Sequence, residues 1–488
     1  MFTTLVLDLG SSSTRAIAFD ERARAIPGVL ARQPVTFVST QPGQSDDDPP
    51  HALARARRVL AGALQHCAER GMKRIDAVAI ASYAGSLLAL DAHGEPVTNI
   101  ITYADTRAAA QAARLRETHN ELDTLQRTGC RIRANYAPAR LAWLRENAAE
   151  AFAHAAHFVS MSDFVRLKIF GDLSTSLSIA SWNGLLNRAN LQWDEAWLGA
   201  LGVLPSRMPR IDETPLALRG LGGGLAALNG AVLLPAIGDG AAANIGSGSA
   251  DASNIAVTVG TTAAMRIVTS DSNRAIPPAL WQYRIDHARG LTGGALSEGG
   301  NVVAWLRDTL VLPDPAALEA ELARMPPDTH GLTILPLIAG ERSPGYSDAP
   351  GATVHGITMS TTPVQIAQAW MESVSYRLAL VCDALRPYAA PTALLIASGG
   401  ALFNSPSWCR MIANATGLAV QLCEEPEATA RGAALIAAQR LQPGATMPAA
   451  PLGNRYDPNP EHARISRSAM TRQAALYNIL HEQATQKT

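Results

Sequence analysis

Lysine is nearly missing from this chain: Lys73, Lys168 and Lys487 are its only copies, and arginine carries the rest of the positive charge. With 41 Lys+Arg against 42 Asp+Glu, the formal net charge is −1. That balance argues against a nucleic acid or an anionic membrane held by bulk electrostatics. Cysteine is also sparse. Cys67, Cys130, Cys382, Cys409 and Cys423 are scattered, with no C-x-x-C pair and no metal-ligand spacing. Such usage disfavours a disulfide framework or a zinc site and fits reduced thiols in the cytoplasm. Long apolar runs are lacking too. "MFTTLVLDLG" has no basic flank and is interrupted by Asp8, and "GAVLLPAIGDG" is cut by Pro235, Gly238 and Asp239, too early to span a bilayer. The sequence contains no Gly-Lys dipeptide, so a P-loop is excluded.

What is present is an α/β pattern long enough, at 488 residues, for two large cores. The stretch "LVLDLGSSSTRAIAFD", residues 5–20, reads as two alternating strands joined by a turn rich in glycine and hydroxyl groups. Taken alone, such a turn reads first as a solvated loop. The pattern returns at 255–268 as "IAVTVGTTAAMRIV", where Gly260, Thr261 and Thr262 correspond to Gly10, Ser11 and Ser12. Two like hairpins, each opening one half of the chain, predict two related domains facing each other, over 1–248 and 249–488. Further strands are expected at 75–82, 87–91, 332–338, 392–398 and 418–423. Helices are expected at 105–127, 138–149, 363–388, 404–416 and 427–440.

Turns of this kind offer backbone N–H and hydroxyl donors at close range, as a polyphosphate requires. "GDGAAA" at 238–243 formally matches a dinucleotide fingerprint, but no acid follows at the ribose spacing and Asp239 would face the pyrophosphate. The nicotinamide oxidoreductase reading is therefore rejected. As an acid between two glycines that let a substrate approach, Asp239 could take a proton from a hydroxyl attacking a γ-phosphate. Asp8, ending the first strand, would sit beside a hydrated Mg²⁺, and its counterpart in the second hairpin is Thr258. On position alone each acid reads equally as a cap or turn residue. Asp46, Asp47 and Asp48 read as a solvated loop before a helix. Trp143, Trp305 and Trp370 read as core, His287, His330 and His355 as surface or structural, and Asp163 as a substrate contact or a helix cap.

In order along nearly the whole chain, these segments resemble the FGGY carbohydrate kinases of the actin/Hsp70/sugar-kinase fold. "LDLGSSSTRA" and "VTVGTTAAMR" are similar to the family's two phosphate motifs, and "GDGAAANIGSG" to the segment with the catalytic Asp. "YADTR" (103–107) and "PARLAWLREN" (138–147) resemble substrate-side motifs. "SGGALFNSPSWCRMIANATGLAV" (398–420) and "EEPEATARGAALIAA" (424–438) resemble the adenosine-site elements and the family's ending. The resemblance implies two ribonuclease-H-like (actin-like ATPase) domains across a cleft, and transfer of phosphate from ATP, with Mg²⁺, to a sugar or sugar-acid hydroxyl. It implies Asp239 as base and Asp8 on the metal side. Gly10, Ser11, Ser12, Ser13, Gly260, Thr261 and Thr262 would hold phosphates, and Gly399, Gly400, Ala401 and Asn404 the nucleoside. Ser86, Tyr103, Asp105, Asn135 and Asp239 would face the acceptor.

Tyr103 stands for a usual Trp, Arg140 for Lys, Gly85 for a substrate-facing His and Pro350 for Arg. Segments 163–187 and 340–348 resemble the gluconate-kinase branch, so gluconate is the expected acceptor. A xylulose-type pentulose or polyol kinase is the alternative within the family. A non-catalytic, actin- or Hsp70-like ATP-operated clamp is the alternative of another class. The expected partners are a small-molecule acceptor and, at most, a second copy in a homodimer, with no nucleic acid and no membrane.

Overall fold

Alternation of apolar and small residues in "TLVLDL" and "STRAIAF" builds the first hairpin, Thr4–Leu9 with Ser13–Phe19. In its antiparallel register Leu9 faces Thr14 and Asp8 faces Arg15. The computed structural model describes residues 2–72, 74–270, 273–347, 351–444 and 448–485, so Pro350 lies outside the described residues. On the hairpin's other side Thr4–Leu9 pairs in parallel with Ala77–Ser82, within a seven-stranded sheet. Strands buried on both faces read as near-continuous apolar runs, as "AVAIAS" does.

The second half repeats this plan. Asn254–Val259 pairs antiparallel with Ala263–Thr269 and parallel with Leu394–Ser398, again inside a seven-stranded sheet. Each sheet has its own apolar core. In the first, helix Pro49–Glu69 buries Ala56, Val59, Leu60 and Leu64. In the second, helix Pro363–Leu385 buries Trp370, Val374 and Leu378. The result is the two-lobed α/β fold expected from the repeat.

A third core joins the lobes. Helix Ala428–Leu441, from the second half, packs on helix Asp239–Gly246 and on the first sheet through Ala430, Ala433, Ala434 and Ala437. The helices cross closely because both lack a side chain at the crossing. A Cβ on Gly246 would run into Ala428 O, and one on Gly432 into Ala242 O.

Three expectations change. The helix expected over 105–127 is two helices, Ala109–Thr118 and Glu121–Thr128, because Asn120 caps the second through Leu122 N and Asp123 N. Asp46 and Asp47 are buried rather than solvated: Arg107 pairs with Asp46, Arg55 with Asp47, and the two acids form a short strand against Ile100–Ile101. Asp48 caps helix Pro49–Glu69. Trp370 and His330 are buried, but Trp305 is 41% exposed and lines a cavity of the second lobe.

Candidate active site

Asp239 begins its helix directly after the short strand Ile237–Gly238, so chain direction alone aims its carboxyl out of the sheet end into the cleft. Its Oδ1 accepts from Gly240 N at 2.7 Å. Burial pushes the carboxyl up to about 6, the Asp8 charge adding to this while the Gly240 N–H and Arg266 oppose it. The flanking glycines serve a neighbour rather than an incoming substrate. A Cβ on Gly238 would stand 2.9 Å from Trp182 Nε1, and one on Gly240 2.9 Å from Trp182 Cη2. The Trp182 indole is itself stacked on Tyr283 at 4.0 Å, tying the first lobe to the second, and Tyr283 shares a 2.6 Å hydrogen bond with Tyr136.

Asp8 is 1% exposed, and burial raises its carboxyl pKa against the pull of Arg15. One oxygen pairs with Arg15, and the other, Oδ1, is buried with no hydrogen-bond partner. Arg15 also donates to Glu427 at 2.7 Å, bridging the first hairpin to the helix start in the second lobe. Thr258, the counterpart of Asp8, shares a 2.9 Å hydrogen bond with Ser398. Arg15, Glu427, Thr258 and Ser398 line one cleft of about 440 Å³ with Asp239, Arg266, Gly399 and Gly400. Sequence reasoning missed Arg15, Glu427, Arg266 and Trp182. Register was the available signal for two of them, since Asp8 faces Arg15 and Ala256 faces Arg266.

The two turns are placed as hydrogen-bonded loops at the sheet ends. In the first, a Cβ on Gly10 would stand 2.8 Å from Ser13 O, and Ser12 is exposed. In the second, Thr261 and Thr262 are exposed, and Gly300 N and Asn301 N donate to Gly260 O and Thr261 O at 2.7 and 3.1 Å. Gly260, Thr261, Gly400, Ala401 and Asn404 come together in a larger cavity of about 1300 Å³, walled by Trp305. Gly400 belongs to both spaces, so the cavity opens towards Asp239.

On the acceptor side, a Cβ on Gly85 would lie 3.6 Å from Asn135 O, 3.7 Å from Tyr103 Cβ and 3.9 Å from Trp182 O, so these groups converge there. Gly85 has φ 74°, a left-handed conformation that glycine adopts freely and that a residue with a side chain resists. Two expected acceptor contacts are turned away. Asp105 is buried, taking Ser45 N, Arg107 N and Arg107 Nε, and Ser86 Oγ accepts from Met161 N at 3.0 Å. Asp163 is the third residue of a capping box whose N-cap is Ser160. Arg140 donates to Gly85 O and Thr102 O, holding the loop.

Twin lobes of this topology around a cleft that holds the elevated Asp239 carboxyl define a two-lobed phosphotransferase of the actin-like ATPase fold. Residues 3–246 match the N-terminal domain, and residues 255–441 the C-terminal domain, of the FGGY family of carbohydrate kinases. The chain belongs to that family of ATP-dependent enzymes, which phosphorylate an alcohol group. It is 26% identical to a gluconokinase of Bacillus licheniformis over 88% of this chain and 86% of that one. It is 30% identical to a glycerol kinase of Polaromonas naphthalenivorans over 89% of each. Among solved structures, a gluconate kinase from Lactobacillus acidophilus matches with a TM-score of 0.90, 22% identity and 98% coverage of both chains. Plasmodium falciparum glycerol kinase with ADP matches with a TM-score of 0.86, 18% identity and 97% and 98% coverage. Membership of an enzyme family across both lobes displaces the clamp alternative.

Proposed function

We propose that this kinase phosphorylates gluconate, with Asp239 as the general base. The observation that carries the acceptor reading is that both gluconate-like segments bear on the surroundings of Asp239. Segment 163–187 supplies Trp182, packed on the glycines beside Asp239, and segment 340–348 supplies Arg342, whose charge acts on Arg266 next to that acid. ATP lies with its nucleoside in the cavity of Gly400, Ala401 and Asn404 and its phosphates between the turns at Gly10–Ser13 and Gly260–Thr262. Asp239 takes the proton of the attacking hydroxyl as that oxygen bonds to the γ-phosphorus, and the bond to the β-phosphate oxygen breaks to release ADP. An elevated carboxyl suits this work, since a base near the operating pH both ionises and accepts well.

The residues fit a Mg²⁺ ion. Asp8 Oδ1 is a buried, unpartnered acceptor 3.8 Å from where a Cβ on Gly10 would be, and among the described residues no group of three or more His, Cys, Asp or Glu could cage a metal. One carboxylate with waters and phosphates is the usual Mg²⁺ arrangement, and the ion supplies charge neutralisation of the phosphates when bound. The five cysteines are buried and unpaired, and no described helix is long and apolar enough to cross a membrane. Both features support a cytoplasmic kinase.

A polyol kinase is the second reading, favoured by the 30% identity to glycerol kinases. A coupled kinase assay over gluconate, xylulose and glycerol decides between them: gluconate is expected to be the preferred acceptor, and preference for glycerol or xylulose with gluconate inert would overturn the reading.

A further inference from the structure

The second lobe carries two arginines here, Arg266 beside Asp239 and Arg342 within charge range of Arg266. Arg266 lies on Ala263–Thr269 facing Ala256, on the sheet face that also carries Thr258. It lines the cleft with Asp239. Its Nε stands 3.5 Å from where a Cβ on Gly240 would be, and it is buried with no hydrogen-bond partner. Arg342 is exposed, and no hydrogen bond or ion pair of its side chain occurs among the described residues. The backbone of its neighbour Ser343 donates to Ala295 O at 2.9 Å. Ala295 lies on the strand that pairs with that of Arg266, whose partner there is Gly293, and Ser343 Oγ stands 2.9 Å from where a Cβ on Gly294 would be, so the segment carrying Arg342 rests on the strand beside Arg266. Burial holds the Arg266 guanidinium below its usual pKa, with Arg342 adding to this and Asp239 opposing it.

Compensating acids are few here. Glu341 is committed to Arg377, to Tyr477 OH at 2.8 Å and to Ser347 N at 3.0 Å. Glu298 accepts from Ala339 N at 3.0 Å, and burial pushes it up to about 7. Asp239 acts on Arg266 and Glu298 on Arg342, but among the described residues neither guanidinium is hydrogen-bonded or ion-paired to an acid, and Glu427 in the same cleft is taken by Arg15, so their donors stay open. We propose that Arg266 and Arg342 form the receptor for a carboxylate on the acceptor, so that this kinase selects polyhydroxy acids over neutral polyols.

The γ-phosphate is the rival occupant, and the fold disfavours it. Arg266 lies four residues along the strand from Thr262 in the phosphate turn, a span of ~13 Å at strand rise. Planar guanidinium forks match a carboxylate in two-bond geometry, and arginine keeps its charge when partly buried. This inference rests on the gluconate reading and names the groups that would enforce it.

The test compares D-gluconate with D-glucitol, the polyol in which a hydroxymethyl group replaces the carboxylate, in wild type, Arg342→Gln and Arg266→Gln. Wild type should prefer gluconate. In each variant the ratio of gluconate to glucitol kcat/KM should fall ~10- to 100-fold, the scale of a lost charge-assisted pair, through a raised KM for gluconate and not for ATP. Arg342→Lys should recover part of the ratio. Arg342 is exposed, so its variant carries the test if Arg266→Gln fails to fold. A wild-type preference for the neutral polyol overturns both the acceptor reading and this inference. A wild-type preference for gluconate with an unchanged ratio in the variants, or with a raised KM for ATP, overturns the arginine assignment alone.

Discussion

At Asp239 one side chain links catalysis to stability. A base must be ionised to accept a proton, so a carboxyl pushed up to about 6 predicts acceptor kcat/KM that falls below pH ~6 with a slope of one proton. A profile flat from pH 5 to 8 would contradict this. The stability sign runs the other way. A carboxyl whose pKa rises from 3.8 to about 6 on folding costs about 3 kcal/mol once ionised. That cost is absent below the unfolded pKa and complete above the folded one. Asp239→Asn should therefore raise Tm at pH 8 by roughly 3–10 °C, with little gain at pH 4. Calorimetry at the two pH values checks it, and an equal or opposite change would show that the carboxylate is not disfavoured by burial.

Elements explain what glycine does at two further positions. In the first hairpin Gly10 is needed for space, since Ser13 O stands 2.8 Å from its would-be Cβ and its φ is not left-handed. Gly10→Val should distort the turn and raise KM for ATP by roughly tenfold or more, with kcat for acceptor less affected. Unchanged ATP binding in the folded variant would remove the turn from the phosphate site. At the helix crossing, Gly432→Ala places a methyl on Ala242 O. Overpacking of this kind costs about 1–3 kcal/mol, sometimes more, and urea unfolding should show it. Strand and helix positions were legible in the sequence because apolar periodicity reflects which face is buried. Charged pairs were not. "DDD" at 46–48 looks solvated because its partners, Arg55 and Arg107, are distant in the chain or on another element. Arg15 and Arg266 look like solvent-facing strand positions until the two lobes close the space in front of them.

Across the whole molecule, the internal repeat was visible because both hairpins keep the same glycine–hydroxyl turn at the same place in each half. The joining core was not visible, since the alanines of helix Ala428–Leu441 give no sign that they pack on the other lobe. Likewise Ser86 and Asp105 fall in acceptor-side motifs, yet their polar atoms turn into the first lobe, a matter of side-chain direction that spacing cannot carry. The cleft itself is a property of the two lobes together: Arg15 and Asp239 come from one, Glu427, Arg266 and Gly400 from the other. The most direct measurement of that account is ADP release by wild type and Asp239→Asn, with and without gluconate at saturating ATP. Gluconate should strongly stimulate release by wild type, and the variant should bind ATP normally while its kcat falls by roughly 10²–10⁴. Turnover within a few-fold of wild type in the folded variant would contradict Asp239 as the base on which the cleft is organised.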